Sequence, residues 1–166
     1  MYRPASFAIV ALAVLGVCIA CSKAAVPGAG FAGGDAWINN GAHACERYLN
    51  GDFVASILTN PDGASKPLSR QACSYGTRDA GGSITITLSN AGPAAFDAYQ
   101  KYLVDPQPLS GVGDRASQSL IGIDAVKGVD RSCTIDAGGA PGSLRLKGAE
   151  LGQKLGTLCN QLFALP

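Results

Sequence analysis

Only one histidine occurs in the 166 residues, and charged residues make up 15% of the chain. That scarcity excludes much chemistry. A zinc cage is built from Cys and His at short fixed spacing, yet no Cys-x-x-Cys occurs and His43 stands alone. No metal or other cofactor is expected. Nucleophilic catalysis needs a nucleophile, a base and an orienter. His43 lies two residues from Cys45, and side chains at i and i+2 of a helix do not face each other. No Gly-x-Ser-x-Gly elbow or Ser-x-x-Lys motif is present. Charge of one sign is also missing. Lys+Arg number 13 and Asp+Glu 12, with no block of either. A nucleic-acid binder leaves a basic footprint, so that class is set aside. Gly28-Ala29-Gly30-Phe31-Ala32-Gly33 fits Gly-x-Gly-x-x-Gly, but no strand precedes it, as a dinucleotide site requires.

What is present begins at residue 1. Arg3 is the one charge before an uncharged run from Ala5 to Ala20. This is the head and apolar stretch of a secretory signal, short of the roughly 20 apolar residues of a membrane span. Cys18-Ile19-Ala20-Cys21 resembles a lipobox, with Ala20 before the cysteine that would carry the lipid. Cys21 is the expected lipidation site. Cys18 after Val17 fits less well, and an ordinary cleaved signal is the plain alternative. Ser22 is not the Asp that holds enteric lipoproteins in the inner membrane. The expected location is therefore the cell envelope, lipid-anchored in the outer membrane and facing the periplasm. Residues 21–40, rich in Ala, Gly and Pro, read as a flexible lipidated tether, and residues 41–166 as one globular domain, with Trp37 and Ile38 as the first residues expected to join the folded part.

Cysteine usage agrees with export. Cys45, Cys73, Cys133 and Cys159 are an even set in an exported chain, which implies disulfides. Four cysteines allow three pairings. The favoured one is Cys45–Cys73 with Cys133–Cys159, because each bridge then staples one half. Each closes a loop of about 27 residues, worth on the order of 3–4 kcal/mol if chain entropy is the cause.

The periodicities predict an α+β domain. Ala42–Leu58 reads as a helix in two pieces, with Cys45, Leu49, Phe53 and Ile57 four apart and Asp52 as a cap. A loop runs through Pro67. Ala72–Thr77 and Ser83–Ser89 form a hairpin, the second strand alternating Ile84, Ile86 and Leu88 with Ser and Thr. Pro93 opens a helix with Phe96, Tyr99 and Leu103 on one face. Ser117–Val126 and Arg131–Asp136 make a second hairpin. Ser143 caps a last helix whose Leu151, Leu155, Leu158 and Leu162 form a stripe. Gly148, Gly152 and Gly156 beside it suggest close approach of helix to sheet. The expected architecture is an antiparallel sheet of four or five strands, in αββ-αββ-α order, with the helices on one face.

Two features carry a family resemblance: a helix cysteine followed by Cys73-Ser74-Tyr75, and Gly111-Val112-Gly113-Asp114-Arg115-Ala116. With the lipobox, they resemble small bacterial cell-envelope lipoproteins that have a Cys…Cys-x-aromatic and a Gly-x-Gly-Asp-x-Ala motif and no established activity. The resemblance implies a compact α+β domain and a Cys45–Cys73 bridge. Cys133 and Cys159 depart from it.

Asp114, Asp124, Asp130 and Asp136 gather in the second half, and paired carboxylates can hydrolyse glycans. Asp124, Asp130 and Asp136 fall on strand and turn positions expected to face solvent, so no catalytic role is expected. Asp114 is either a turn-former accepting backbone N–H groups or, with Arg115, part of a loop presented to a partner. The reading that results is a non-catalytic envelope lipoprotein serving as a protein-binding module. Its specific form is an immunity or inhibitor protein against an exported effector. The alternative is a periplasmic carrier of a small molecule or lipid.

Overall fold

The computed structural model describes residues 34–166. The signal segment, Cys18, Cys21 and the tether up to residue 33 lie outside the described residues. The elements run α1 (Gly34–Arg47), α2 (Gly51–Ile57), β1 (Ala64–Ser69), β2 (Ala72–Gly76), β3 (Gly82–Ser89), α3 (Pro93–Gln100), β4 (Gln107–Pro108), β5 (Arg115–Gln118), β6 (Gly122–Lys127), β7 (Arg131–Gly139) and α4 (Gly148–Phe163). The strands form one antiparallel sheet in the order β1-β2-β3-β7-β6-β5-β4.

Seven strands replace the expected four or five. β1 falls where a loop was expected. It is an edge strand carrying Pro67, almost wholly exposed, so it shows no apolar alternation. β4 is only two residues, and the strand expected over Ser117–Val126 is in fact β5 and β6 around a turn at Ser119–Ile121. Proline in β1 and shortness in β4 blunt both sheet edges against strand addition.

α1 begins at Gly34, so residues 34–40 are helix rather than tether. Trp37 and Ile38 account for this. Both are buried, the Trp37 indole N–H donates to the Ser89 carbonyl at 3.2 Å, and the Trp37 ring stacks on Phe163 at 5.5 Å. The second helical piece is capped by Asn50, whose side chain accepts from the Phe53 N–H, not by Asp52. The last helix starts at Gly148 rather than after Ser143. The preceding residues continue onto the end of α2 instead, with Thr59 N–H donating to Ser143 O at 2.9 Å and Arg145 N–H to Ile57 O at 2.8 Å.

Register sorts the sheet into two faces. Ile84, Ile86 and Leu88 lie opposite Ala137, Ile135 and Cys133, and Ile135 and Cys133 lie opposite Ile123 and Ala125. All are buried against residues of α1, α2 and α4 in one core. α3 departs from the expected arrangement. Phe96 and Tyr99 share a small cavity with Asp124, Val126, Ser132 and Thr134, whose positions alternate with the core residues. α3 therefore covers the opposite face.

The disulfides join helix to strand in each half: Cys45–Cys73 ties α1 to β2, and Cys133–Cys159 ties β7 to α4. Glycine lets α4 sit close. A Cβ on Gly156 would stand 2.5 Å from Val112 Cγ2, and one on Gly152 2.0 Å from Gln118 Oε1.

Candidate functional site

Asp114 and Arg115 are both engaged within the chain. Asp114 Oδ2 accepts from Gly128 N–H at 2.7 Å, and Asp114 N–H donates to Val126 O at 2.8 Å. Just ahead in the loop, Asn160 of α4 donates to Gly111 O at 2.7 Å and accepts from Gly113 N–H at 3.0 Å. The Gly-x-Gly-Asp segment is thus a clasp binding loop, hairpin and α4 together. Arg115 pairs with Asp97 of α3 and lies over the Phe96 ring at 4.9 Å. Asp97 is held below the usual carboxylate range by its hydrogen bond to Arg115.

Asp124 is not the solvent-facing residue its strand position suggested. It is 6% exposed, beneath α3. Thr134 donates to Asp124 Oδ1 at 2.9 Å and Gln100 to Oδ2 at 3.4 Å, while Ser117 donates to Gln100 Oε1. Burial raises the Asp124 carboxyl, and the neighbouring Asp136 raises it further. Asp136 is raised by partial desolvation, although its surface is still open to water. Burial raises the Tyr99 hydroxyl, with Asp136 and then Asp124 adding to it. The carboxyls sit with Ser74, Thr85, Thr87, Ser117 and Thr134 on a polar sheet face. Asp130 sits in the β6–β7 turn, apart from this group. His43 is exposed on α1.

The other distinctive surface is apolar and lies at one end of the sheet. Leu120 and Ile121 form the β5–β6 turn, 81% and 49% exposed, and Tyr102 and Val104, after α3, are 82% and 79% exposed. These four and Leu103 line an open groove of about 310 Å³. A second groove of about 290 Å³ shares Leu120 and Ile121 and continues along Leu144, Leu146 and Leu151. The chain enters the described domain at the other end of the sheet, where Trp37 meets Ser89 and Phe163. Sequence reasoning missed this surface because Leu120 and Ile121 were placed inside a continuous strand, and Leu103 inside a helix that ends at Gln100. The adjacent pair itself gave no signal, because Ala125 and Val126 of β6 are also adjacent and both buried, one on each covered face.

Among the described residues, no group of three or more His, Cys, Asp or Glu is gathered as a metal site, and no helix is long and apolar enough to cross a membrane. Compared with protein families, curated proteins and solved structures, the chain matches none.

Proposed function

We propose that this chain is a non-catalytic lipoprotein of the bacterial cell envelope, lipidated at Cys21, whose folded domain binds another protein through the apolar end of its sheet. An immunity or inhibitor protein against an exported effector is the specific form of this reading. The supporting observation is the exposure of Tyr102, Val104, Leu120 and Ile121 side by side. Single exposed apolar residues are ordinary, whereas a contiguous patch flanked by grooves marks an interaction surface. Fully exposed, such a patch is a liability in water that a bound partner removes.

In-cell photo-crosslinking with benzoylphenylalanine at position 102 of the full chain tests the binding. One discrete protein adduct is expected from position 102 and none from position 43 on α1. Equal adducts from both positions, or none from 102, would refute the reading. Metabolic labelling with a palmitate analogue tests the anchor separately. The label should disappear in Cys21→Ala and persist in Cys18→Ala.

A further inference from the structure

We propose that the apolar end receives a short uncharged segment of its partner, which sets one apolar side chain into each of the two grooves flanking Leu120–Ile121. The inference rests on the protein-binding reading above and adds the chemistry of the occupant.

Size is the first argument. Four exposed side chains, Tyr102, Val104, Leu120 and Ile121, make a patch of at most a few hundred Å², within the range of functional patches on monomers. Two folded surfaces that pair stably each bury about 800 Å². A second copy of this chain laid patch to patch falls short of that. A segment entering grooves of about 310 and 290 Å³ is buried on several sides and gains more contact for the same footprint.

Charge is the second argument. Lys101 and Lys147 flank the patch in the chain, and so do Asp105 and Glu150. Asp136 adds a third acid at the same end, against Gly122 beside Ile121, so no cluster of Lys and Arg is there to draw an anionic bilayer. With no dense cluster of either sign around it, an apolar patch favours an occupant without net charge.

The blunted edges β1 and β4 argue against binding by strand addition, which leaves side-chain anchoring. Both grooves share the Leu120–Ile121 wall, so the anchors are near neighbours. They would be two apart on an extended segment or three to four apart on a helix.

The test is selection from a displayed library of random twelve-residue peptides against the full chain in phosphatidylcholine nanodiscs. Enriched peptides should carry two apolar residues two to four positions apart with no net charge. Leu120→Asp and Val104→Asp should each weaken them at least tenfold. Val129→Asp, at an equally exposed apolar residue in the β6–β7 turn at the far end, should leave them unchanged. Absence of enrichment, peptides selected by charge, or insensitivity to both patch variants overturns the inference. So does dimerisation abolished by Leu120→Asp, which would make a second copy the occupant, or patch-dependent binding to anionic vesicles. If the crosslink at position 102 persists while no peptide is enriched, the protein-binding reading stands and this inference falls.

Discussion

The two faces of the sheet are made by the same strands and obey opposite rules. On one, Ile84, Ile86 and Leu88 meet Cys133, Ile135 and Ala137 under α1, α2 and α4. On the other, Ser, Thr and Asp occupy the alternate positions, and α3 covers part of the row. Period two alone separates them. Shape holds the core face together, since each side chain fills space that others leave. Hydrogen bonds hold the polar face: Ser74 with Thr85 at 3.0 Å, Thr134 with Asp124 at 2.9 Å, Gln100 with Asp124 at 3.4 Å. The difference teaches that the stability of this domain and its response to pH reside on opposite sides of one sheet.

Substitutions should separate the two. Ile86→Ala, at the centre of the core face, is expected to cost most, about 4 kcal/mol by cavity formation and lost transfer energy. Urea unfolding measures it, and a loss below about 1 kcal/mol would mean the core is not close-packed there. Replacing Cys133 and Cys159 together with Ala should cost about 3 kcal/mol in the chain-entropy account, again by urea unfolding under oxidising conditions. Equal stability of that variant and the parent would show that the bridge between β7 and α4 adds nothing.

The polar face should show itself in pH dependence. The folded-state carboxyl of Asp124 titrates above 3.8, chiefly because it is buried. The folded state therefore holds this proton more tightly than the unfolded chain does. The stability cost of ionising it is complete above the folded pKa and falls away as pH drops towards 3.8. Asp124→Asn should melt higher than the parent at pH 7, and the gap should close near pH 4. A gap of constant size across that range would show that Asp124 is not the source. The smallest effect belongs to Arg115→Gln. The Arg115–Asp97 pair is about half exposed, and such pairs add little. The melting temperature should hardly move, while amide exchange in α3 should quicken as one of its ties to β5 is lost. Unchanged exchange would mean that Phe96 and the Gln100 hydrogen bonds dock the helix without Arg115.

Features driven by a strong period were legible in the sequence. The alternation in β3, the leucine stripe of α4 and the pairing of cysteines within each half all describe what the folded chain does, as does the close approach of α4 to the sheet at Gly152, whereas Gly156 meets Val112 of a loop and Gly148 faces open space. Features decided by tertiary contact were not. Trp37 and Ile38 marked the start of the folded part, and both are buried, but the small residues around them hid that it is helix from Gly34. β1 has a single neighbouring strand and no buried stripe to betray it. The side of the sheet taken by α3 depends on Phe96, Gln100 and Arg115 finding partners far along the chain. At the candidate site, Asp114 and Arg115 drew notice because turn-rich polar motifs do, and both are occupied internally. Leu120, Ile121, Tyr102 and Val104 passed unnoticed because apolar letters suggest interior, and only the position of a turn reveals them as surface.

The first disulfide also decides how the domain bears a pull. If the chain hangs from a lipid at its start, tension arrives through Gly34 and loads α1 lengthwise. The helix can unwind from its free end, but Cys45 is covalently fixed to Cys73 in β2, so peeling must stop there. Beyond that point the load passes sideways into the sheet, where rows of hydrogen bonds share it. Such a pull would unwind at most the part of α1 that precedes Cys45 and leave the opposite end of the sheet intact.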